Sequence, residues 1–223
     1  MTHNNPHTAT PLAQRGPSLG KAKGAVVLVH GRGATAQSML PLADALAQPE
    51  WLYVAPQAAG HTWYPYSFLA PMRHNEPGLS SGLRRVNTVI DGLIAEGIPP
   101  QQIVLLGFSQ GACLALETAA QRGERLGGVI AFSGGLIGPP GTPRDYDGDL
   151  GGTPVFLGCS DVDAHIPLER VHESAEVFER LGADVTTRIY PGMGHTINAD
   201  EIAFARGLLA RLGTSRMAKA PSE

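Results

Sequence analysis

The stretch "LLGFSQGACLAL", Leu105 to Leu116, breaks an apolar run with Gly-Phe-Ser-Gln-Gly and then turns apolar again. Before the break, "IVLLGF" (Ile103 to Phe108) reads as a short strand buried on both faces. After it, "GACLALETAAQ" reads as a helix with small residues on its packed side. Ser109 therefore falls at the hinge of a strand–turn–helix, with Gly107 and Gly111 on either side. That is the G-x-S-x-G pattern of a nucleophile elbow, in which a tight turn pushes a serine hydroxyl out at the end of a strand. A five-residue pattern also occurs by chance, so the rest of the chain must supply a base, an acid and an oxyanion site.

The flanking sequence alternates strands and helices. "GAVVLVH" (Gly24 to His30), "WLYVAP" (Trp51 to Pro56), "LGGVIAFSG", "TPVFLGCS" and "DVTTRIY" read as further strands. A helix with Leu83, Val86, Ile90, Leu93 and Ile94 on one face is expected to be capped by Ser80 or Ser81. "PLERVHESAEVFERLG" and "NADEIAFARGLLARLG" read as later helices. Continuous apolar strands separated by helices imply an α/β fold with a mostly parallel sheet covered on both faces. The 223 residues suit one such domain, expected over 23–213, between flexible tails at 1–22 and 214–223.

The net charge of −3 and the lack of a basic stripe argue against nucleic acid as a partner. No apolar run is long enough to span a bilayer, and the polar N-terminus lacks the core of a signal peptide. Cys113 and Cys159 lie in apolar contexts and read as reduced core residues, so a cytoplasmic location is expected. The oligomeric state is not legible, and a homodimer is left open.

A serine hydroxyl needs a base within hydrogen-bond reach, and the base needs a group to orient it. Around an elbow these partners follow in the order Ser, acid, His. His195, in the Gly-rich "IYPGMGHTI" after the last strand, occupies the place of the base. His165 is a weaker rival. The loop "CSDVDAHIP" offers two acids, Asp161 and Asp163, and spacing does not choose between them. Two backbone N–H donors are expected at the oxyanion site, from Gln110 after the nucleophile and from Arg32 in "HGRGAT". The Arg32 side chain is read as solvated, against the alternative that it meets an anionic substrate group. In a chain only 6% aromatic, Trp63, Tyr64, Tyr66 and Phe68 cluster in one Pro-braced stretch, expected to wall a substrate pocket.

The pieces "LVHGRG", "GFSQGA", "DAHIP" and "YPGMGHTI" together resemble the phospholipase/carboxylesterase family of α/β-hydrolases, which includes acyl-protein thioesterases. The resemblance covers roughly Ala25 to Leu212. It implies the α/β-hydrolase fold and a catalytic triad of Ser109, Asp163 and His195, the aspartate opening the D-x-x-hydrophobic-Pro motif of Asp163 to Pro167. It also supports Arg32 and Gln110 as oxyanion donors. The thioesterase-like members usually read G-L-G-D where this chain has Gly31-Arg32-Gly33-Ala34, which points away from protein depalmitoylation. The expected activity is cleavage of small-molecule carboxylic esters of short to medium acyl chain through an acyl-enzyme, with no metal or other cofactor. An acyl-thioesterase, a lysophospholipase, or a hydrolase-fold binding protein with little turnover are the alternatives.

Overall fold

The computed structural model describes residues 5–215. Seven strands form one sheet: β1 (Leu12–Arg15), β2 (Gly24–Val29), β3 (Trp51–Pro56), β4 (Ile103–Phe108), β5 (Gly128–Phe132), β6 (Pro154–Ser160) and β7 (Asp184–Tyr190). Their order is β1-β3-β2-β4-β5-β6-β7. Only β1 runs antiparallel, against β3; the remaining neighbours pair in parallel. Among the described residues five α-helices lie between strands, α1 (Ala36–Met39), α2 (Pro41–Leu46), α3 (Gly78–Ala95), α4 (Gln110–Arg122) and α5 (Leu168–Arg180), and α6 (Ala199–Ser215) follows β7.

The uninterrupted apolar strands have a simple cause. Side chains alternate between faces, and both faces are covered. Val27 and Val29 of β2 and Ile103 and Leu105 of β4 enter the core under α3, α4 and α5. Val26 and Leu28 with Val104 and Leu106 enter the core under α1, α2 and α6. Truncating a fully buried leucine such as Leu105 to alanine would cost about 2–5 kcal/mol.

Strand order also locates the site. From β2 the chain steps to β3 on one side and then to β4 on the other. A parallel sheet opens a crevice beyond the carboxyl ends of the strands where the direction of winding reverses. Here that place lies between β2 and β4, whose ends are held level by the pairing of Val29 with Gly107. The segments that leave these two strands carry Arg32 and Ser109.

Three expectations are corrected. The segment expected to be a flexible tail over 1–22 packs on the body within its described part. β1 extends the sheet, and His7 is buried, its N–H donating to Ser81 Oγ. This segment is polar and follows no amphipathic period; the backbone pairing of β1 and single side chains such as His7 anchor it. The second correction concerns α3, which starts at Gly78 and lacks a serine cap; Glu76 takes that place, accepting from the Ser80 N–H at 3.2 Å and hydroxyl at 2.6 Å. Lastly, the helix at the C-terminal end continues to Ser215, past the expected boundary at 213, while residues 216–223 of the expected tail lie outside the described residues. Among the described residues no helix is long and apolar enough to cross a membrane.

Candidate active site

Ser109 is in a left-handed conformation with φ 56° and ψ −122°. A non-glycine residue there stores on the order of 1–3 kcal/mol of strain, held by its surroundings. The restraints are visible. The Ser109 N–H donates to Phe132 O at 2.9 Å, and Ser109 O accepts from Cys113 N–H at 3.0 Å. The two flanking glycines permit close contact. A Cβ on Gly111 would lie 2.1 Å from Val29 O, and one on Gly107 would lie 2.3 Å from Gly111 O. The G-x-S-x-G spacing is thus a packing requirement of α4 against β2 and β4.

The turn brings Ser109 Oγ to 2.8 Å from His195 Nε2. The other ring nitrogen, Nδ1, is 2.7 Å from Asp163 Oδ2. Asp163 Oδ1 accepts from the N–H groups of His165 at 2.8 Å and Ile166 at 3.1 Å. Burial alone would raise the Asp163 pKa, but these bonds, led by His195, outweigh it and hold the carboxyl below its ordinary value. An ionised carboxylate only accepts, so Nδ1 carries the proton and Nε2 is left as the acceptor for the serine hydroxyl.

Asp161 has a different place. Its Oδ1 accepts from Gly192 N–H at 2.7 Å, and Ser160 Oγ accepts from Gly194 N–H at 3.1 Å. The tip of β6 thereby holds the loop that carries His195. The ring itself is packed between Phe108, centroids 4.9 Å apart, and His165, 4.7 Å apart.

The Gln110 N–H is the first of α4, where helix geometry offers no intrahelical acceptor and the dipole favours negative charge. Its side chain grips the aromatic stretch. Oε1 accepts from Trp63 N–H at 2.9 Å and Nε2 donates to Tyr64 O at 2.8 Å. The Arg32 N–H has no acceptor among the described residues. The loop after β2 is fixed by His30, whose buried ring accepts from Ala58 N–H at Nε2 (3.0 Å) and bonds Gly31 O through Nδ1 (2.8 Å). Burial lowers the His30 pKa.

A cleft of about 470 Å³ opens beside Ser109. Tyr64, Tyr66 and Phe68 of the aromatic stretch line it. Trp63 does not. It is fully buried behind the cleft and donates from Nε1 to His30 O at 2.9 Å, so it braces the loop after β2. The Arg32 side chain is exposed and at the same time held: it donates to Thr62 Oγ1 at 3.1 Å, Pro65 O at 2.8 Å and Tyr66 O at 2.6 Å. Phe108, Cys113, His165 and Ile166 also line the cleft and were not singled out as pocket residues. Their signal was adjacency, since each lies within four positions of Ser109 or Asp163. Burial pushes the Cys113 thiol up to about 12, which leaves it an unreactive wall. Among the described residues no group of three or more His, Cys, Asp or Glu is arranged to hold a metal ion.

Known proteins share this architecture. The family model described as Phospholipase/Carboxylesterase matches residues 17–212. A solved phospholipase/carboxylesterase from Dyadobacter fermentans is 42% identical, with a TM-score of 0.87 over 94% of this chain and 98% of that one. A probable carboxylesterase of Oryza sativa is 26% identical over 195 residues, 79% of this chain and 73% of the relative. An acyl-protein thioesterase 1 of Gibberella zeae is 33% identical over 130 residues, 56% of this chain, and the match spans 54% of that relative's length. With the parallel sheet, the strained elbow and a family match over nearly the whole described chain, this protein belongs to the phospholipase/carboxylesterase family of α/β-hydrolases.

Proposed function

We propose that the protein is a serine carboxylesterase acting on esters of short to medium acyl chain through an acyl-enzyme. The observation that carries this reading is the unbroken hydrogen-bond chain from Ser109 through His195 to Asp163. Ser109 Oγ attacks the ester carbonyl while His195 Nε2 takes its proton. Asp163 holds the ring tautomer and stabilises the imidazolium. The N–H groups of Arg32 and Gln110 receive the oxyanion, in a site already organised before substrate arrives. The tetrahedral species then collapses and breaks the bond to the alcohol, which leaves with the proton from His195. Water, deprotonated by the same ring, attacks the acyl-enzyme and frees the acid and Ser109. No step draws on a metal or organic cofactor.

The limit on acyl length is supported by the cleft, whose roughly 470 Å³ lies in the lower half of the range for small-molecule sites. Thioester cleavage is a second reading, favoured by the relatives named acyl-protein thioesterase 1. A thioester presents the same carbonyl to the same groups. The reduced thiols of Cys113 and Cys159 support a cytoplasmic setting.

The test is a turnover screen over 4-nitrophenyl esters of increasing acyl length, with an acyl thioester alongside, for the wild type and Ser109→Ala. A fluorophosphonate should label the wild type at Ser109. Turnover retained in the variant, or labelling elsewhere, overturns the assignment; efficiency rising steadily to palmitoyl overturns the acyl-length limit.

A further inference from the structure

The cleft beside Ser109 carries an unbalanced charge. The Arg32 guanidinium lines it, and no aspartate or glutamate does. Asp163 lies next to it, but its side chain has no exposed surface and its oxygens are occupied by His195 and two backbone N–H groups. Arg32 takes part in none of the ion pairs among the described residues. The partners of its guanidinium are all neutral oxygens: Thr62 Oγ1, Pro65 O and Tyr66 O. By contrast Arg144 and Arg170, which brace the loop after β5, share the carboxylate of Glu173.

These contacts fix the Arg32 guanidinium in place without cancelling its charge. A guanidinium has five N–H donors in a rigid fork. Three bonds to the aromatic loop leave donors for a ligand, already oriented, so little rotamer entropy remains to be lost on binding. The backbone N–H of the same residue faces the oxyanion position in the mechanism proposed above. One residue thus links the reacting carbonyl to a fixed positive charge on the cleft wall. A planar carboxylate is the group that such a fork recognises best.

We propose that Arg32 is a specificity-determining residue and that the preferred substrates are esters bearing a free carboxylate, of which half-esters of dicarboxylic acids are the simplest class. This inference rests on the ester-hydrolase reading. The carboxylate enters either with the acyl group or with the alcohol, and the two sources separate by experiment.

The acyl arm compares kcat/KM for mono-4-nitrophenyl adipate with that for 4-nitrophenyl hexanoate, which have the same chain length. The alcohol arm compares 4-(carboxymethyl)phenyl hexanoate with 4-ethylphenyl hexanoate. The arm that matches the site should favour the anionic ester by about tenfold or more, the scale of a partly solvated charge-assisted contact. Arg32→Gln should bring that ratio close to one, and Arg32→Lys should keep part of it. A merely structural loss of the Arg32 braces would lower both esters of a pair together and leave the ratio intact. The wild-type ratio should also shrink between low and high KCl, which tests the charge without any variant. Ratios at or below one in both arms overturn the inference, as does a preference indifferent to KCl or to Arg32→Gln. Failure to hydrolyse any of the four esters overturns the hydrolase reading together with this one, whereas hydrolysis with flat ratios overturns this one alone.

Discussion

Asp163→Asn is the substitution whose consequence the geometry defines most sharply. Asp163 Oδ1 accepts from His165 N–H at 2.8 Å and Ile166 N–H at 3.1 Å. The amide oxygen of an asparagine can keep both bonds, so the loop after β6 stays folded. That choice turns the amide NH2 toward His195 Nδ1, now 2.7 Å from Oδ2. A donor then faces a donor. The ring relieves the conflict by moving its proton to Nε2, which faces Ser109 Oγ at 2.8 Å. In that tautomer His195 has no lone pair to take the serine proton. The corresponding change in a serine protease lowers turnover by roughly 10⁴, and we expect the same order here.

Asp161→Asn is the control. Asp161 Oδ1 accepts a single backbone bond, from Gly192 N–H at 2.7 Å. An asparagine oxygen reproduces it. The expected loss in kcat/KM is below about tenfold, the scale of a neutral hydrogen bond replacing a charge-assisted one. The assay is kcat/KM on 4-nitrophenyl butyrate with thermal unfolding recorded for both variants. If Asp161→Asn proves the severe variant, or Asp163→Asn falls by less than about tenfold with its fold intact, the orientation argument fails.

Further outcomes follow from the same contacts. Gly111→Ala places a Cβ 2.1 Å from Val29 O, so urea unfolding should record a loss at or above the roughly 1–3 kcal/mol typical of overpacking, together with lower turnover. Gln110→Ala keeps the backbone N–H but leaves the buried Trp63 N–H without its acceptor; we expect about 1–3 kcal/mol of destabilisation in the same assay and a raised KM. Burial lowers the pKa values of His7 and His30 below 6.5, so the unfolded chain binds more protons than the folded one as pH falls through that value. Their contribution is fully present above about pH 6.5 and declines toward their folded pKa values, so the unfolding temperature should fall in that window, and His7→Asn should flatten the decline. Asp163 adds an opposite kind of group with the same sign: its depressed pKa stabilises the fold above the ordinary carboxylate range and is lost only at lower pH, after the histidines.

What could be read from sequence here was whatever the strands and the elbow demand. Alternating faces of β2 and β4 leave an unbroken apolar run, and the approach of α4 to Val29 O demands glycine at position 111. Such constraints act on consecutive residues, so they leave a local trace. Asp163 was different. Its choice over Asp161 came from the motif "DAHIP", because both aspartates lie in one loop and both meet the "PGMGH" segment in space. The aromatic stretch misled in a third way. Composition marked Trp63 and Tyr66 alike, but Trp63 turns inward to His30 O while the exposed Tyr66 lines the cleft. Neither a period of two nor one of 3.6 applies to a Pro-braced loop, so nothing local says which ring points where.

The N-terminal segment explains why its polar residues looked like a tail and behave otherwise. His7 sits at 2% exposure, with Nδ1 accepting from Ala59 N–H and Nε2 bonded to Trp63 O, both at 3.0 Å. It thereby ties residues at the start of the chain to the loop that Gln110 and Arg32 hold from the other side. Three polar side chains, from the first loop, the turn after β2 and the start of α4, converge on one Pro-braced stretch. None belongs to an apolar pattern, and each is separated from its partner by tens of residues. Hydrophobic periodicity reports the sheet and its helices. The cleft wall is set by these long-range polar anchors, and the shape of the pocket therefore depends on residues that a pattern-based reading assigns to loops and tails.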